Sequence, residues 1–198
     1  MSFMVLIFKT IKLFFMAKLS GKKIAIITEN GFEQVELTSP KKALEEAGAK
    51  VDVVSPEKGK VKAWDHDHWG IEVPVDVELK DASPNNYDGL LIPGGVMNPD
   101  KMRMNPDCVA FAQQFMDSGK PVAAICHGPW LLVEANRVEG KTMTSYPSIQ
   151  TDLKNAGVNW VDKEVVVDNG LVTSRSPKDL DAFNRKIVEE FAEGNHQR

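Results

Sequence analysis

A cysteine and a histidine stand side by side at positions 126 and 127, between a short apolar run and a predicted helix. A strand that turns sharply into a helix, with a nucleophile at the bend, is the nucleophile elbow of hydrolytic enzymes. Ala124 and Gly128 are small enough to let the two arms approach, and Pro129 suits a first helical turn because it lacks an N–H. We therefore predict that Cys126 is a nucleophile whose thiolate the helix N-terminus favours, with His127 as its base or ion-pair partner. The alternative is an inert buried cysteine that only packs.

Two acids and two glycines follow other predicted strands. Glu33 and Glu36 come soon after the first strand, and a helical turn there would project both carboxyl groups to one side. A carboxyl group buried beside a thiolate is protonated, because two negative charges disfavour one dry site, and it then donates a hydrogen bond to sulfur. The alternative is a solvated acidic helix entry. Gly94 and Gly95 are predicted to form an oxyanion hole with the N–H of His127, and the alternative is a plain turn.

The run Asp65-His66-Asp67-His68-Trp69 contains side chains that bind metals. It lacks the separated donors that close a tetrahedral zinc site, so we predict a solvated loop or a pocket wall, with no metal and no cofactor. Cys108 falls on the apolar stripe of a predicted helix and is expected to pack. A glutamine-hydrolysing amidotransferase needs a histidine and an acid far downstream of its cysteine. The one histidine after His127 is His196, which disfavours that class.

The bulk composition is that of a globular protein. The chain has 198 residues, of which 42% are hydrophobic and 26% charged, as is ordinary for a single domain. Its net charge of −4 argues against a nucleic-acid partner, which would need a basic stripe. Two cysteines provide no disulfide framework and indicate a reducing compartment, so we predict a cytoplasmic location.

Residues 1–15 differ in character from the rest. The stretch is apolar at first, but it is too short and too broken by Lys9 and Lys12 for a transmembrane helix, so no stable membrane insertion is predicted. We predict that residues 1–15 are an extension without a catalytic role and that residues 16–198 form a single domain. A weak membrane or partner contact through the extension is the alternative.

Strands and helices alternate along the chain. Strands are predicted over 23–28, 51–55, 87–92, 122–125, 165–167 and 171–173, with short edge strands near 71–75. Helices are predicted over 39–47, with Ser39 as N-cap and Pro40 in the first turn, and over 105–118, 148–156 and 178–192. This order predicts an α/β fold whose open parallel sheet is covered by helices on both faces. Such sheets bind ligands at the carboxyl ends of their strands, where the loop at Asn30, Gly94 and Cys126 fall.

Several motifs, in this order, resemble the DJ-1/PfpI superfamily and its PfpI-like branch over about residues 22–192. They are Phe32-Glu33-x-x-Glu36, Leu91-Ile92-Pro93-Gly94-Gly95, Ala124-Ile125-Cys126-His127-Gly128-Pro129, Thr144-Ser145-Tyr146, Asn155-Ala156-Gly157, Glu164-Val165-Val166-Val167-Asp168 and Thr173-Ser174-Arg175. The resemblance implies a flavodoxin-like three-layer sandwich that assembles into homodimers or hexamers. It also implies that Cys126 is the nucleophile, His127 its neighbour, and Glu33 and Glu36 the acidic pair under the thiol.

Three further positions acquire roles only from the resemblance. Asp100 falls where PfpI-like proteins carry an acid that reaches the histidine across a subunit contact. Here it is Asp rather than Glu, and the loop after Gly95 is one residue longer. Tyr146 matches a pocket tyrosine. Trp69 falls near another pocket aromatic, although the Asp and His run before it departs from the family pattern.

The activities linked to this family are intracellular peptidase, cofactor-free glyoxalase, protein deglycase and redox-sensing stress protein. We predict a cytosolic stress-response enzyme that uses Cys126 on small reactive carbonyls, of glyoxalase or deglycase type. A thiolate that adds to an aldehyde forms a hemithioacetal, and a nearby base can then move the proton that converts it into an acid. The alternatives are a PfpI-type cysteine peptidase acting on peptides, and a non-catalytic sensor in which Cys126 is oxidised to sulfinic acid.

Overall fold

The computed structural model describes residues 18–196, so the predicted extension over residues 1–15 lies outside the described residues. The central element of the described part is a seven-stranded sheet. In spatial order its strands are β10 (Val165–Asp168), β11 (Leu171–Ser174), β7 (Val122–Ile125), β6 (Gly89–Ile92), β1 (Lys23–Ile27), β2 (Lys50–Ser55) and β5 (Val77–Glu78). Because β7, β6 and β1 are parallel neighbours, their carboxyl ends meet at one edge.

One strand of the sheet runs against the others. β10 pairs with β11 antiparallel, whereas the predicted sheet was parallel throughout. The cause is local, because Asn169 and Gly170 connect the two strands with φ of 47° and 75°. Consecutive positive φ values of this kind close a tight hairpin, in which asparagine followed by glycine is the favoured pair.

Helices cover both faces of the sheet, which confirms the predicted α/β layers. One core cluster packs α1 (Gln34–Glu46) and α6 (Leu180–Glu193) against one face. A second cluster packs α2 (Met97–Met104), α3 (Pro106–Asp117), α4 (Pro129–Glu134) and α5 (Gln150–Asn155) against the other. Beside them lies a small parallel pair, β8 (Thr142–Met143) and β9 (Asn159–Trp160). Among residues 18–196, none of the helices is both long and apolar enough to cross a bilayer.

The first helix begins earlier than predicted. It starts at Gln34 rather than at Ser39, so Pro40 lies inside the helix and leaves the Glu36 carbonyl without its helical N–H partner. The buried positions of α1 are Glu36, Leu37, Pro40 and Leu44, a helical stripe that begins well before the proline. Packing of this stripe therefore sets the helix start.

A second, antiparallel sheet lies beside the loop between β1 and α1. It consists of β3 (Lys60–Asp65) and β4 (His68–Pro74), and it replaces the edge strands predicted near 71–75. The hairpin attaches to the loop by backbone bonds, from Gly31 N to Lys62 O at 2.8 Å and from Trp64 N to Phe32 O at 2.7 Å. β5, which follows the hairpin in the chain, returns to the edge of the seven-stranded sheet.

Candidate active site

Cys126 lies at the sharp turn between β7 and α4, as the elbow interpretation predicts. Its φ is 62°, a conformation that a non-glycine residue rarely adopts. Neighbouring segments hold it there, since Cys126 N donates to Ser174 O at 3.0 Å and Cys126 O accepts from Tyr146 N at 2.9 Å. A Cβ on Gly128 would lie 2.7 Å from Ile92 O, so the small residue lets the helix approach β6.

The imidazole of His127 contacts the thiol directly. Cys126 Sγ lies 3.1 Å from His127 Nδ1, and both residues are 6% exposed. Nε2 of His127 lies 2.9 Å from Ser148 Oγ, and the ring stacks on Tyr146 at a centroid distance of 4.9 Å. Burial lowers the pKa of His127, so the ring is neutral near pH 7 and suits a base better than an ion-pair partner.

Glu36 lies on the other side of the sulfur. Its side chain is fully buried, and Oε2 accepts a hydrogen bond from Gly94 N at 2.9 Å. Burial raises the pKa of Glu36 to about 8, so the carboxyl group is mainly protonated at neutral pH, as predicted for an acid beside a thiolate. Glu33 is half-buried next to it, and burial raises its pKa too. Glu36 therefore adjoins the thiol, whereas Glu33 lies between Glu36 and the side chains of Asp65 and His66.

Opposing influences act on the pKa of the Cys126 thiol. Burial raises the pKa of Cys126, and negative charge on Glu36 raises it further, whereas the N–H groups of Gly95 and His127 lower it. The predicted preference for thiolate is therefore opposed by burial. Because Glu36 is the neighbour that holds a proton at neutral pH, its repulsion is largely absent there. The N–H of Gly95 favours the charged form of Glu36 as well as that of Cys126, so the two groups compete for one negative charge and titrate as a pair.

The N–H groups of Gly94 and Gly95 bind different partners. Gly94 N–H is already bound to Glu36, so it is not available to an oxyanion. A Cβ at Gly94 would lie 2.5 Å from Glu36 Oε2 and 2.6 Å from Cys126 Cβ, so only glycine fits between them. Gly95, with φ of 76°, directs its N–H at the sulfur, as does His127. These two N–H groups are the donors that an oxyanion beside Cys126 would meet.

Two predicted site residues lie apart from the thiol in the single chain. Asp100 is exposed on α2 and lines a surface cavity of about 640 Å³ with Arg103, Met104 and Glu134. Trp69, in β4, is 46% exposed and packs edge-on against Trp64. Among the described residues, neither a hydrogen bond nor an ion pair joins Asp100 to Cys126 or His127. Tyr146, by contrast, forms a wall of the site through its stack on His127.

Metal-ligand side chains also gather near the site. Ligand atoms of Glu33, Asp65 and His66 lie within 4.8 Å of one another, and this group could hold a metal ion. The other acid and histidine of the predicted loop, Asp67 and His68, are exposed and pair with each other at 2.8 Å. The prediction of a metal-free loop remains a prediction.

Two residues at the site were not identified from the sequence. Ser148, whose hydroxyl contacts His127, was only the start of a predicted helix. Asn98 is fully buried beside Gly94, in a helix that the sequence pattern did not indicate. Neither belongs to a local motif, and only their place in the fold brings them to the site. Cys108 is buried and free as predicted, and burial raises its pKa to about 12.

Known proteins share this sequence and architecture. The sequence model of the DJ-1/PfpI family matches residues 22–190. General stress protein 18 of Bacillus subtilis is 47% identical over 170 residues, covering 85% of this chain and 96% of that protein. A protein of the same organism named "Putative cysteine protease YraA" is 46% identical over 168 residues, covering 85% and 97%. The crystal structure of Drosophila melanogaster DJ-1beta is 32% identical, with a TM-score of 0.79, over 86% of this chain and 90% of that one.

Proposed function

The chain belongs to the DJ-1/PfpI family, and from this premise we propose that it is a cysteine-dependent enzyme that acts on small reactive carbonyl compounds. The observation that carries the proposal is the contact of 3.1 Å between Cys126 Sγ and His127 Nδ1 at a buried elbow. Glu36 supplies a proton on the far side of the sulfur, and Gly95 and His127 supply N–H donors. The resemblance to General stress protein 18 supports a role in stress response.

The reaction proposed for a 2-oxoaldehyde such as methylglyoxal needs only these groups and water. Cys126 Sγ forms a bond to the aldehyde carbon, the carbonyl π bond breaks, and the oxygen takes the thiol proton to give a hemithioacetal. His127 then removes the hydrogen of that carbon as a proton and returns it to the neighbouring carbon, while the hydroxyl proton of the first carbon passes to the ketone oxygen of the second. The first carbon is thereby oxidised to a thioester and the second is reduced to an alcohol. Water then cleaves the thioester, which releases lactate and restores the thiol.

The surroundings of the thiol favour a small substrate over a peptide. Cys126 and His127 are each 6% exposed, so an extended chain would have to displace neighbouring segments to reach the sulfur. Within residues 18–196, the partner of His127 Nε2 is the hydroxyl of Ser148 rather than a carboxylate. A cysteine peptidase must protonate a leaving amine, and a carboxylate or amide that orients the histidine commonly supports that step. A hemithioacetal has no leaving amine.

Peptide hydrolysis is the second candidate, because YraA carries the name of a cysteine protease. One preparation tests both activities. We expect purified protein to convert methylglyoxal into lactate, Cys126→Ala to lose this activity, and Cys108→Ala to retain it. Equal lactate production by wild type and Cys126→Ala would overturn the proposal. Cleavage of a casein or gelatin substrate that depends on Cys126, without lactate production, would favour the peptidase.

The location and assembly of the protein are proposed with the function. Both cysteines are free, which fits a reducing compartment such as the cytoplasm. We propose a homodimer or a hexamer, in which Asp100 faces a neighbouring subunit.

A further inference from the structure

Asn98 joins the ends of two neighbouring strands at the site. It lies near the start of α2 and is fully buried. On one side its Oδ1 accepts from Glu29 N at 2.7 Å and from Thr28 Oγ1 at 3.2 Å, just beyond β1. On the other side its Nδ2 donates to Pro93 O at 2.8 Å and to Gly94 O at 3.2 Å, just beyond β6. The hydrogen-bonding capacity of the amide is thus filled, and its orientation is fixed.

These bonds determine the direction of two consecutive peptide groups. In a trans peptide the C=O and the following N–H point in opposite directions. Because Pro93 O points to Asn98, Gly94 N–H points away from it, to Glu36 Oε2 at 2.9 Å. Gly94 O also points to Asn98, so the N–H of Gly95 points to the opposite side, where Cys126 lies. The Asn98 amide therefore binds the carbonyl oxygens of both peptide groups whose N–H groups serve the site.

We propose that Asn98 is a positioning residue that aims the N–H groups of Gly94 and Gly95 at Glu36 and Cys126. Glycine is the residue whose peptide groups reorient most readily, so the Gly94–Gly95 segment needs an external restraint. Besides Asn98, Gly94 O accepts one long bond, from Glu33 N at 3.4 Å. Without Asn98 the peptide between the two glycines is free to turn its carbonyl toward the sulfur, where it would repel a thiolate instead of stabilising it.

The inference rests on Cys126 as the reactive group of the proposed function, but its test does not need turnover. The test is the rate of Cys126 alkylation by iodoacetamide between pH 6 and 10, read by peptide mass spectrometry, with the Cys108 peptide measured in parallel. Asn98→Leu keeps roughly the size of the side chain and adds no charge, but it cannot donate to Pro93 O and Gly94 O. We expect its apparent pKa for Cys126 alkylation to rise by about one unit, and its rate at pH 7 to fall about tenfold.

Two further variants distinguish a lost orientation of the Gly94 and Gly95 peptide groups from a general loss of rigidity around Asn98. Thr28→Val is nearly isosteric and removes one bond on the acceptor side of Asn98, so it should leave the alkylation curve within about twofold of wild type. Asn98→Ser retains a hydroxyl donor and is the variant to measure if Asn98→Leu does not fold by circular dichroism. It should shift the curve in the same direction by a smaller amount. A folded Asn98 variant whose curve coincides with that of wild type would overturn the proposal, as would an equal shift in Thr28→Val. Wild-type protein that shows the expected alkylation profile but produces no lactate would count against the proposed function alone.

Discussion

At the residue scale, the buried pair of Glu36 and Cys126 controls how the site responds to pH. Burial raises the pKa of Glu36 from 4.5 to about 8, so the folded chain holds a proton that the unfolded chain releases over that interval. Below about pH 4.5 both states are protonated and Glu36 has no effect on stability. Between pH 4.5 and about pH 8 the free energy of unfolding falls as pH rises, by up to about 1.4 kcal/mol per pH unit.

Glu36→Gln should therefore flatten the dependence of stability on pH. Glutamine cannot ionise, so the free energy of unfolding of the variant should fall less steeply from pH 5 to pH 8 than that of wild type. Urea unfolding at several pH values measures the slope, and Glu46→Gln, at the exposed end of the same helix, is the matched control. Parallel pH slopes for wild type and Glu36→Gln would contradict the assignment of a buried, protonated carboxyl group.

Much of the candidate site was predictable at this scale because it is local in sequence. Cys126, His127 and Gly128 form one turn, and Glu36 follows β1 closely. The exclusion of Gly94 N–H from the oxyanion donors could not be predicted, because it depends on a bond to Glu36 across 58 positions. The same holds for Ser148, which meets His127 through the packing of a separate segment.

At the element scale, one side chain of α1 makes two hydrogen bonds to the β3–β4 hairpin. Gln34 Nε2 donates to Asp65 Oδ2 at 3.2 Å, and Gln34 Oε1 accepts from Ile71 N at 2.9 Å. A Cβ on Gly70 would come within 2.2 Å of Gln34 Oε1, so the glycine permits this approach. Since Gln34 adjoins Glu33, the hairpin and the acidic pair are coupled in position.

Gln34→Ala should loosen the hairpin without unfolding the domain. Loss of the two bonds should weaken local stability by roughly 1–2 kcal/mol, so amide hydrogen exchange over residues 60–74 should accelerate about tenfold. Exchange mass spectrometry resolves this segment from the central sheet, whose protection should persist. Gln114→Ala, exposed on α3, serves as the control for loss of a glutamine side chain. Unchanged exchange over 60–74 would show that backbone contacts alone hold the hairpin.

Helices with an apolar stripe were predicted well, and the exceptions have physical causes. For α3 and β7 the predicted and observed limits agree closely, because a buried stripe or run coincides with a clear start or stop residue. α2 was not predicted because its buried residues are Asn98, Pro99 and Met102, which form no apolar pattern. Pro40 misplaced the start of α1, since a proline that usually marks a first turn is here inside the helix.

At the scale of the whole molecule, the surface around Asp100 is the candidate for subunit contact. Met104 is 80% exposed beside it, and Arg103 pairs with Glu134 at 3.2 Å along the same surface. An exposed methionine rimmed by charged groups is typical of a contact surface. The chain taken alone leaves Asp100 away from His127, so its proposed role requires assembly.

Light scattering on purified protein should give at least twice the mass of one chain. In that assembly we expect Asp100→Asn to lower kcat for methylglyoxal about tenfold, as for loss of a group that supports proton transfer. Glu134→Gln, which removes a carboxylate from the same surface, should leave kcat unchanged. A monomeric particle with full activity, or an assembled Asp100→Asn protein with the kcat of wild type, would remove Asp100 from the site.

The elbow also has a consequence for how the protein is made. Cys126 is held in its turn by backbone bonds to Tyr146 and Ser174, which follow it in the chain. A ribosome makes the chain from the N-terminus, so residue 126 is synthesised before either partner. Until then the thiol has the reactivity of an ordinary cysteine. The strained geometry of the nucleophile is therefore completed only late in synthesis, and a translation product that stops short of Ser174 lacks one of the two bonds that hold it.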